Sequence, residues 1–256
     1  MKMNLKVIGS SPAWPNPGGA HSGYLVEADG RRLLLDCGPG GLSRLRETEG
    51  WPAVDAIAIT HFHLDHWGDL VPWVWGSMYR ARNGHAARPT VWVYEGGHQY
   101  LETLGSRLGF PDMFDRVFDV EEYAGDRPFT AAGFEVTAMR LPHYTLETYG
   151  FRVARDGTTL AYSGDSGPSD ALVELARDAD FFVCEATLER GELDGLPRGH
   201  LDLDEALDAY ARSGARRLLI THRPAELPLA EDIESAYDGL ELTIAPRAVR
   251  SAGSSQ

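Results

Sequence analysis

The stretch Thr60-His-Phe-His-Leu-Asp-His-Trp-Gly-Asp69 constrains this chain more than any other. It gathers three imidazoles and a carboxylate within six positions, directly after the apolar run 55–60, DAIAIT. Such a run reads as a buried strand, which puts the cluster at a strand exit, where loops build sites. In an extended or turning segment, residues two apart point the same way, so His61 and His63 can grip one cation together. Asp65 and His66, past the turn, face a second. Nitrogen and oxygen donors without thiolate suit Zn2+, Mn2+ or Fe, and such sites often hold two metals. The competing reading is a chance group of histidines on a solvated loop. Only nine histidines occur in 256 residues and three of them fall here, which favours metal.

Two cations need more ligands than one segment supplies, and other strand exits offer them. His143 follows the strand-like run 134–142, Asp165 ends 158–165 with Gly164 beside it, and His222 follows 216–221. Each alone reads as an ordinary surface or core residue; as a set converging on one edge they complete seven ligands.

Composition sets the remaining bounds. The chain is 43% hydrophobic and 24% charged, which excludes disorder, collagen and coiled coil. Its net charge of −14, with only two lysines among the basic residues, repels polyphosphate and makes long nucleic acid a disfavoured partner. A short phosphorylated ligand held by metal is still allowed. Cys37 and Cys184 sit in apolar strand-like runs and read as buried free thiols. No run of roughly 18 apolar residues offers a membrane span. The opening MKMNLKVIGSSPAWP is too short and broken in its apolar part for a signal peptide, so a cytoplasmic location is expected.

Strands are expected over 5–8, 22–27, 32–36, 55–60, 89–94, 134–140, 148–153, 158–163, 181–185, 217–221 and 240–244. Asp29-Gly30 and Asp156-Gly157 mark hairpins. Helices are expected over 38–47, 70–82 (opened by Pro72), 98–108, 169–179, 202–213 and 231–237. Asp202 and Glu205 stand at capping-box spacing. The Pro- and Gly-rich segment 11–20 is irregular and long enough to reach over a site. Strands at both ends with helices after strands in each half suggest an α/β (α+β) fold: two sheets between helices, a four-layer αββα sandwich. One domain is expected over 1–245, with 246–256 fraying.

At this point the residues resemble a known family. THFHLDHWGD is similar to the HxHxDH signature of the metallo-β-lactamase superfamily, whose αββα sandwich agrees with the layering above, and the likeness runs from about residue 7 to residue 245. The resemblance implies that His61, His63 and His143 hold one metal, that Asp65, His66 and His222 hold the other, and that Asp165 bridges them. Aspartate at 165, not cysteine, counts against a true β-lactamase. Ser163-Gly-Asp-Ser-Gly167, Cys184-Glu-Ala-Thr187, and Gly199-His-Leu-Asp with Leu219-Ile-Thr-His222 resemble the phosphodiesterase branch, which includes the tRNA 3′-processing endonuclease and bacterial cyclic-nucleotide phosphodiesterases. That likeness implies that His200 approaches the scissile phosphate, stabilising charge or protonating the leaving oxygen.

The chemistry is coherent in its own right. Two cations about 3.5–4 Å apart bind a bridging hydroxide and polarise a phosphodiester oxygen together, and an imidazole beside the leaving group suits acid catalysis. The catalytic candidates are Asp65, His200 and Glu185. Glu185 reads equally as a hydrogen-bond partner behind a ligand or as an ordinary buried carboxylate. Arg198 and Arg223 stand ready for phosphate oxygens, or are surface residues. Trp67, Trp73, Trp75 and Tyr79 read as core more readily than as a base-stacking surface, and the Ala13-Trp14-Pro15 loop is the better lid. Asp69 and Asp170 read as solvated. The expected activity is hydrolysis of a compact phosphodiester such as 3′,5′-cyclic AMP. The alternatives are a carboxyl-ester, lactone or thioester hydrolase, a tRNA 3′-processing endonuclease, a β-lactamase, or a metal-stabilised non-catalytic scaffold. The endonuclease carries a long basic Gly-rich arm that 166–197 lacks. Dimers are common among the phosphodiesterase relatives, so a homodimer fits, with the Trp-rich helix as its candidate surface.

Overall fold

The computed structural model describes residues 2–48, 50–79 and 88–246. One sheet contains β1 (Met3–Gly9), β2 (Gly23–Ala28), β3 (Arg31–Leu35), β4 (Ala56–Ala58), β5 (Thr90–Tyr94), β6 (Asp119–Tyr123) and β13 (Glu241–Ile244), in spatial order β13-β1-β2-β3-β4-β5-β6. The other contains β7 (Pro128–Ala131), β8 (Phe134–Arg140), β9 (Tyr149–Arg155), β10 (Thr158–Tyr162), β11 (Phe181–Glu185) and β12 (Leu218–Thr221), in order β12-β11-β10-β9-β8-β7. Helices α1 (Gly41–Thr48), α2 (Leu64–Trp67), α3 (Leu70–Tyr79) and α4 (Gly97–Arg107) belong to the first half of the chain. Helices α5 (Asp170–Leu175) and α6 (Leu203–Ser213) belong to the second.

Alternation along the strands builds three apolar layers. Leu33 and Leu35 point between the sheets with Val136, Phe151 and Leu160, while Leu34 and Ile57 point outward to Leu45, Trp73 and Leu101. On the second sheet Phe181 and Val183 face inward, and Phe182 and Cys184 face Leu172 and Ala206 of the outer helices. Burial on both faces explains why LLL and FFVC are unbroken apolar runs. The result is the expected four-layer αββα sandwich.

The hairpins form as the turn residues demand. Asp29 and Gly30, and likewise Asp156 and Gly157, all take positive φ, the backbone of a two-residue turn that matches strand twist. The capping box at Asp202 is complete: Glu205 N donates to Asp202 Oδ1 at 2.9 Å and Asp202 N to Glu205 Oε2 at 3.0 Å.

Four expectations need correction. No helix forms over 231–237; Ile220 N instead donates to Glu234 O (2.9 Å) and Ala236 N to Ile220 O (2.7 Å), so the segment satisfies the open edge of β12. The first helix starts at Gly41, not 38, because buried Asp69 accepts the Leu42 amide at 2.7 Å; Asp69 is a helix cap and not a solvated residue. The helix expected over 169–179 ends at Leu175. Strands β6 and β7 went unread: DVEEY is a polar edge strand, and four residues beginning with Pro carry little pattern. Residues 80–82 of the expected helix 70–82, and 247–256 of the expected frayed tail, lie outside the described residues.

β3, β4 and β5 run parallel, as do β10, β11 and β12. Ligands in sheets of this kind bind beyond the carboxyl ends of the strands, and the seven expected ligands and Glu185 follow or end strands there, with His200 on the loop between β11 and α6.

Candidate metal centre

Local geometry follows the sequence around β4. After Ala58 the chain leaves the ladder, and the buried Asp36 carboxylate takes over, accepting Thr60 N at 2.8 Å. His63 is still extended (φ −71°, ψ 139°), and helix α2 starts at the next residue, turning Asp65 and His66 away from His61 and His63. The exits of β8, β10 and β12 deliver His143, Asp165 and His222.

The structure brings all seven residues together. Asp165 stands in the middle: Oδ2 lies 3.8 Å from both His61 Nε2 and His143 Nε2, and Oδ1 lies 3.2 Å from His66 Nε2 and 3.5 Å from His222 Nε2. His63 Nδ1 is 2.9 Å from His143 Nε2, and Asp65 Oδ2 lies 3.4 Å from His66 Nε2 and 3.2 Å from His222 Nε2. Two groups result, His61, His63, His143 with Asp165, and Asp65, His66, His222 with Asp165. One carboxylate thus presents a separate oxygen to each.

The outward nitrogens are held by the protein. His66 Nδ1 meets Asp36 Oδ2 at 2.7 Å and His143 Nδ1 meets Gly199 O at 2.6 Å. His61 Nδ1 lies 3.0 Å from Thr60 Oγ1, whose hydroxyl donates to Asp36, and His222 Nδ1 lies 2.8 Å from Thr187 Oγ1, whose hydroxyl donates to Glu185. Both relays run imidazole, threonine, buried carboxylate. Such partners fix ring orientation and turn the other nitrogen inward.

A cation pair fits these residues. His61 Nε2, His66 Nε2 and Asp165 Oδ1 are buried without a hydrogen-bond partner, an arrangement proteins avoid unless something else satisfies it. Burial pushes the His61, His63 and His143 imidazoles down, toward the neutral form that ligates metal. At His66 burial is outweighed by Asp165, Asp36 and Asp65, which draw positive charge to that spot. Burial opposes ionisation of Asp165, but His222 and His66 hold it well below the usual carboxylate range.

His200 sits beside this centre, its ring 4.9 Å from that of His143 and stacked on His222 at 5.7 Å. Its Nδ1 meets Glu185 Oε1 at 2.9 Å, which leaves Nε2 as its remaining nitrogen. Glu185 is fully buried and also accepts Ser166 N, Thr187 N and the Thr187 hydroxyl, so it is a hydrogen-bond partner and not an idle strand end. Burial works against protonation of His200, yet Glu185 lifts it to about 9. Two residues missed in the sequence complete the loop. Asp194 Oδ2 accepts the amides of Gly199 (2.7 Å) and His200 (3.0 Å), and Tyr144 lies against Gly199, where a Cβ would come within 2.3 Å of its ring.

Residues 31–223 match the beta-lactamase superfamily domain family. The chain belongs to that superfamily. It is similar to Uncharacterized protein ML1173 of Mycobacterium leprae, 34% identical over 248 residues that cover 93% of this chain and 84% of that one. Ribonuclease Z of Thermobifida fusca is 29% identical over 271 residues, covering 85% of this chain and 83% of its own, and marks the ribonuclease Z-like branch. The crystal structure of the metallo-beta-lactamase fold protein YhfI from Bacillus subtilis superposes with a TM-score of 0.80 at 24% identity, over 95% of this chain and all of that one.

In this member of the superfamily a cleft of about 690 Å3 opens over the centre, with Asp165, His63, His200 and Thr187 on its floor and half-exposed Trp14 and Tyr144 on its walls. Trp14 therefore lies beside the centre. Trp67 and Trp73 are fully buried against the first sheet, so those rings are core and form no surface for a base or a second copy. Neither arginine faces the centre: Arg198 donates to Glu205 and His200 O, and Arg223 to the carbonyls of Leu227, Ala186 and Leu188. No helix among the described residues is long and apolar enough to cross a membrane.

Proposed function

We propose that the protein is a two-metal phosphodiesterase acting on a compact phosphodiester, with 3′,5′-cyclic AMP the first substrate to test. The observation that carries this reading is the His200–Glu185 pair beside the seven-donor centre. A thioester hydrolase has little need of an acid there, because a thiolate departs more easily than the alkoxide of a phosphodiester. Similarity to ribonuclease Z supports phosphodiester chemistry.

His61, His63, His143 and Asp165 would hold one cation, and Asp65, His66, His222 and Asp165 the other; Zn2+ and Mn2+ suit the donor set, and Fe is a third choice. When bound, such a pair supplies Lewis acidity toward a phosphoryl oxygen and acidifies water. The chain's own groups do the rest. Asp36 and Glu185 fix the imidazoles through their outward nitrogens. Asp65 has one oxygen against His66 and His222, which leaves the other to accept a proton from the attacking water. His200, anchored at Nδ1 by Glu185, offers the Nε2 proton to the departing alkoxide.

The test is leaving-group dependence. His200→Ala is expected to cut kcat on an alkoxide diester, cyclic AMP or a dinucleoside monophosphate, by about 10²–10⁴-fold. On bis(p-nitrophenyl) phosphate, whose phenolate leaves unaided, the loss stays below about tenfold. Equal losses on both would remove His200 as the acid. Wild-type turnover of p-nitrophenyl acetate with neither diester cleaved would transfer the reading to carboxyl esters.

A further inference from the structure

The cleft over the centre is uneven in charge. Its volume of about 690 Å3 suits a small ligand. Its lining includes the apolar and aromatic groups Trp14, Tyr144, Leu188, Pro224 and Leu227. At the rim stand Glu189 and Glu226, both exposed and making no hydrogen bond or ion pair among the described residues. Among the described residues no arginine or lysine lines the cleft: Arg198 and Arg223 are spent on Glu205 and on backbone carbonyls, and exposed Arg190, next to Glu189, is not part of the lining. The ligand-seeking groups lie only at the floor, where Asp165 is 1% exposed with Oδ1 unpartnered.

A phosphodiester whose scissile phosphate reaches that floor must leave its organic part among these apolar groups and the two carboxylates. A flat group stacks on Trp14 or Tyr144, and an amino or hydroxyl hydrogen finds an acceptor in Glu189 or Glu226. A second phosphate meets those two like charges, while His200 and the bound cations at the floor are taken up by the scissile phosphate. Resting on the phosphodiesterase reading, we propose that Glu189 and Glu226 act as a charge filter. They admit diesters whose only negative charge is the scissile phosphate and whose organic groups are flat hydrogen-bond donors, and they reject ligands that carry a further phosphate.

The experiment compares ApA with pApA, two dinucleotides that differ only by a terminal phosphate. Each is titrated calorimetrically into Mn2+-loaded protein at low ionic strength, where screening is weak. The His200→Ala background keeps turnover slow. ApA is expected to bind about tenfold tighter than pApA, and the gap is expected to shrink below about threefold when Glu189→Gln and Glu226→Gln are added. Equal affinities, tighter pApA, or a gap that survives the glutamines would overturn the filter. Hydrolysis of bis(p-nitrophenyl) phosphate by the wild type is read separately. A gap that closes in the variant without any diester hydrolysis supports the filter and sinks the phosphodiesterase reading; hydrolysis without a gap does the reverse.

Discussion

Asp36 takes the Thr60 amide, the Thr60 hydroxyl, His66 Nδ1 and the Tyr162 hydroxyl on one fully buried carboxylate, from a backbone φ of 58°. Two of those partners orient the imidazoles of His61 and His66, so Asp36 positions ligands from both halves of the centre without touching substrate. Asp36→Asn keeps the shape but points an amide N–H at donors. Affinity for added Zn2+, measured by competition with a chromogenic chelator, is expected to fall about 10–100-fold. An unchanged affinity in a protein that still melts cooperatively would show that Asp36 orients nothing. This residue was not legible in the sequence, where it closes an apolar run before Cys-Gly like any turn aspartate. Its role depends on the parallel pairing of Leu35 with Ala58, which sets residue 36 beside residue 60. The ligands were legible because six positions held four of them and strand exits held the rest. Tyr162 shares the fate of Asp36, and Thr187, legible only as part of the motif at 184–187, likewise acts through a neighbour brought by the sheet.

The segment 191–200 is the element that carries His200, and it holds together through Asp194. Burial works against that carboxylate's charge, but the amides of Gly199 and His200 and the Tyr144 hydroxyl hold it below the usual carboxylate range. A depressed carboxyl stabilises its segment while ionised, at pH above its unfolded value of about 3.9, and the contribution is lost as pH falls through the lower folded value. Amide exchange at Gly199 and His200, corrected for the intrinsic rate, is therefore expected to lose protection as pH drops below about 4. Asp194→Asn should lack that step and exchange faster at every pH. A step of the same size in the asparagine variant would assign it to another group. Elements with a strong local signal were legible: the two Asp-Gly hairpins, the capping box and the apolar strands. The segment 231–237 was misread because a helix-like run there answers to the open edge of β12, and β6 because its pattern, DVEEY, is mostly charged. Both outcomes are set by sheet pairing that no local window contains.

At the scale of the whole molecule, the strand exits of two sheets meet over one carboxylate, and the rest of the sandwich exists to hold that meeting in register. The order of strands and helices made the four layers legible, while the direction in which Arg198 and Arg223 spend their charges was not, since it depends on carbonyls and a glutamate presented by other elements. A net charge of −14 around a centre that gathers Asp36, Asp65 and Asp165 leaves substrate attraction to bound cations. Activity is thus expected to depend wholly on bound metal. The most direct measurement is the rate of bis(p-nitrophenyl) phosphate hydrolysis by chelator-stripped protein as Zn2+ or Mn2+ is added stepwise, with bound metal counted at each point and His66→Ala as control. Metal dependence predicts negligible turnover without metal, a rate that climbs until two equivalents are bound, and loss of most of that rate in His66→Ala. Two equivalents bound with no hydrolysis, or equal hydrolysis by the stripped protein, would contradict it.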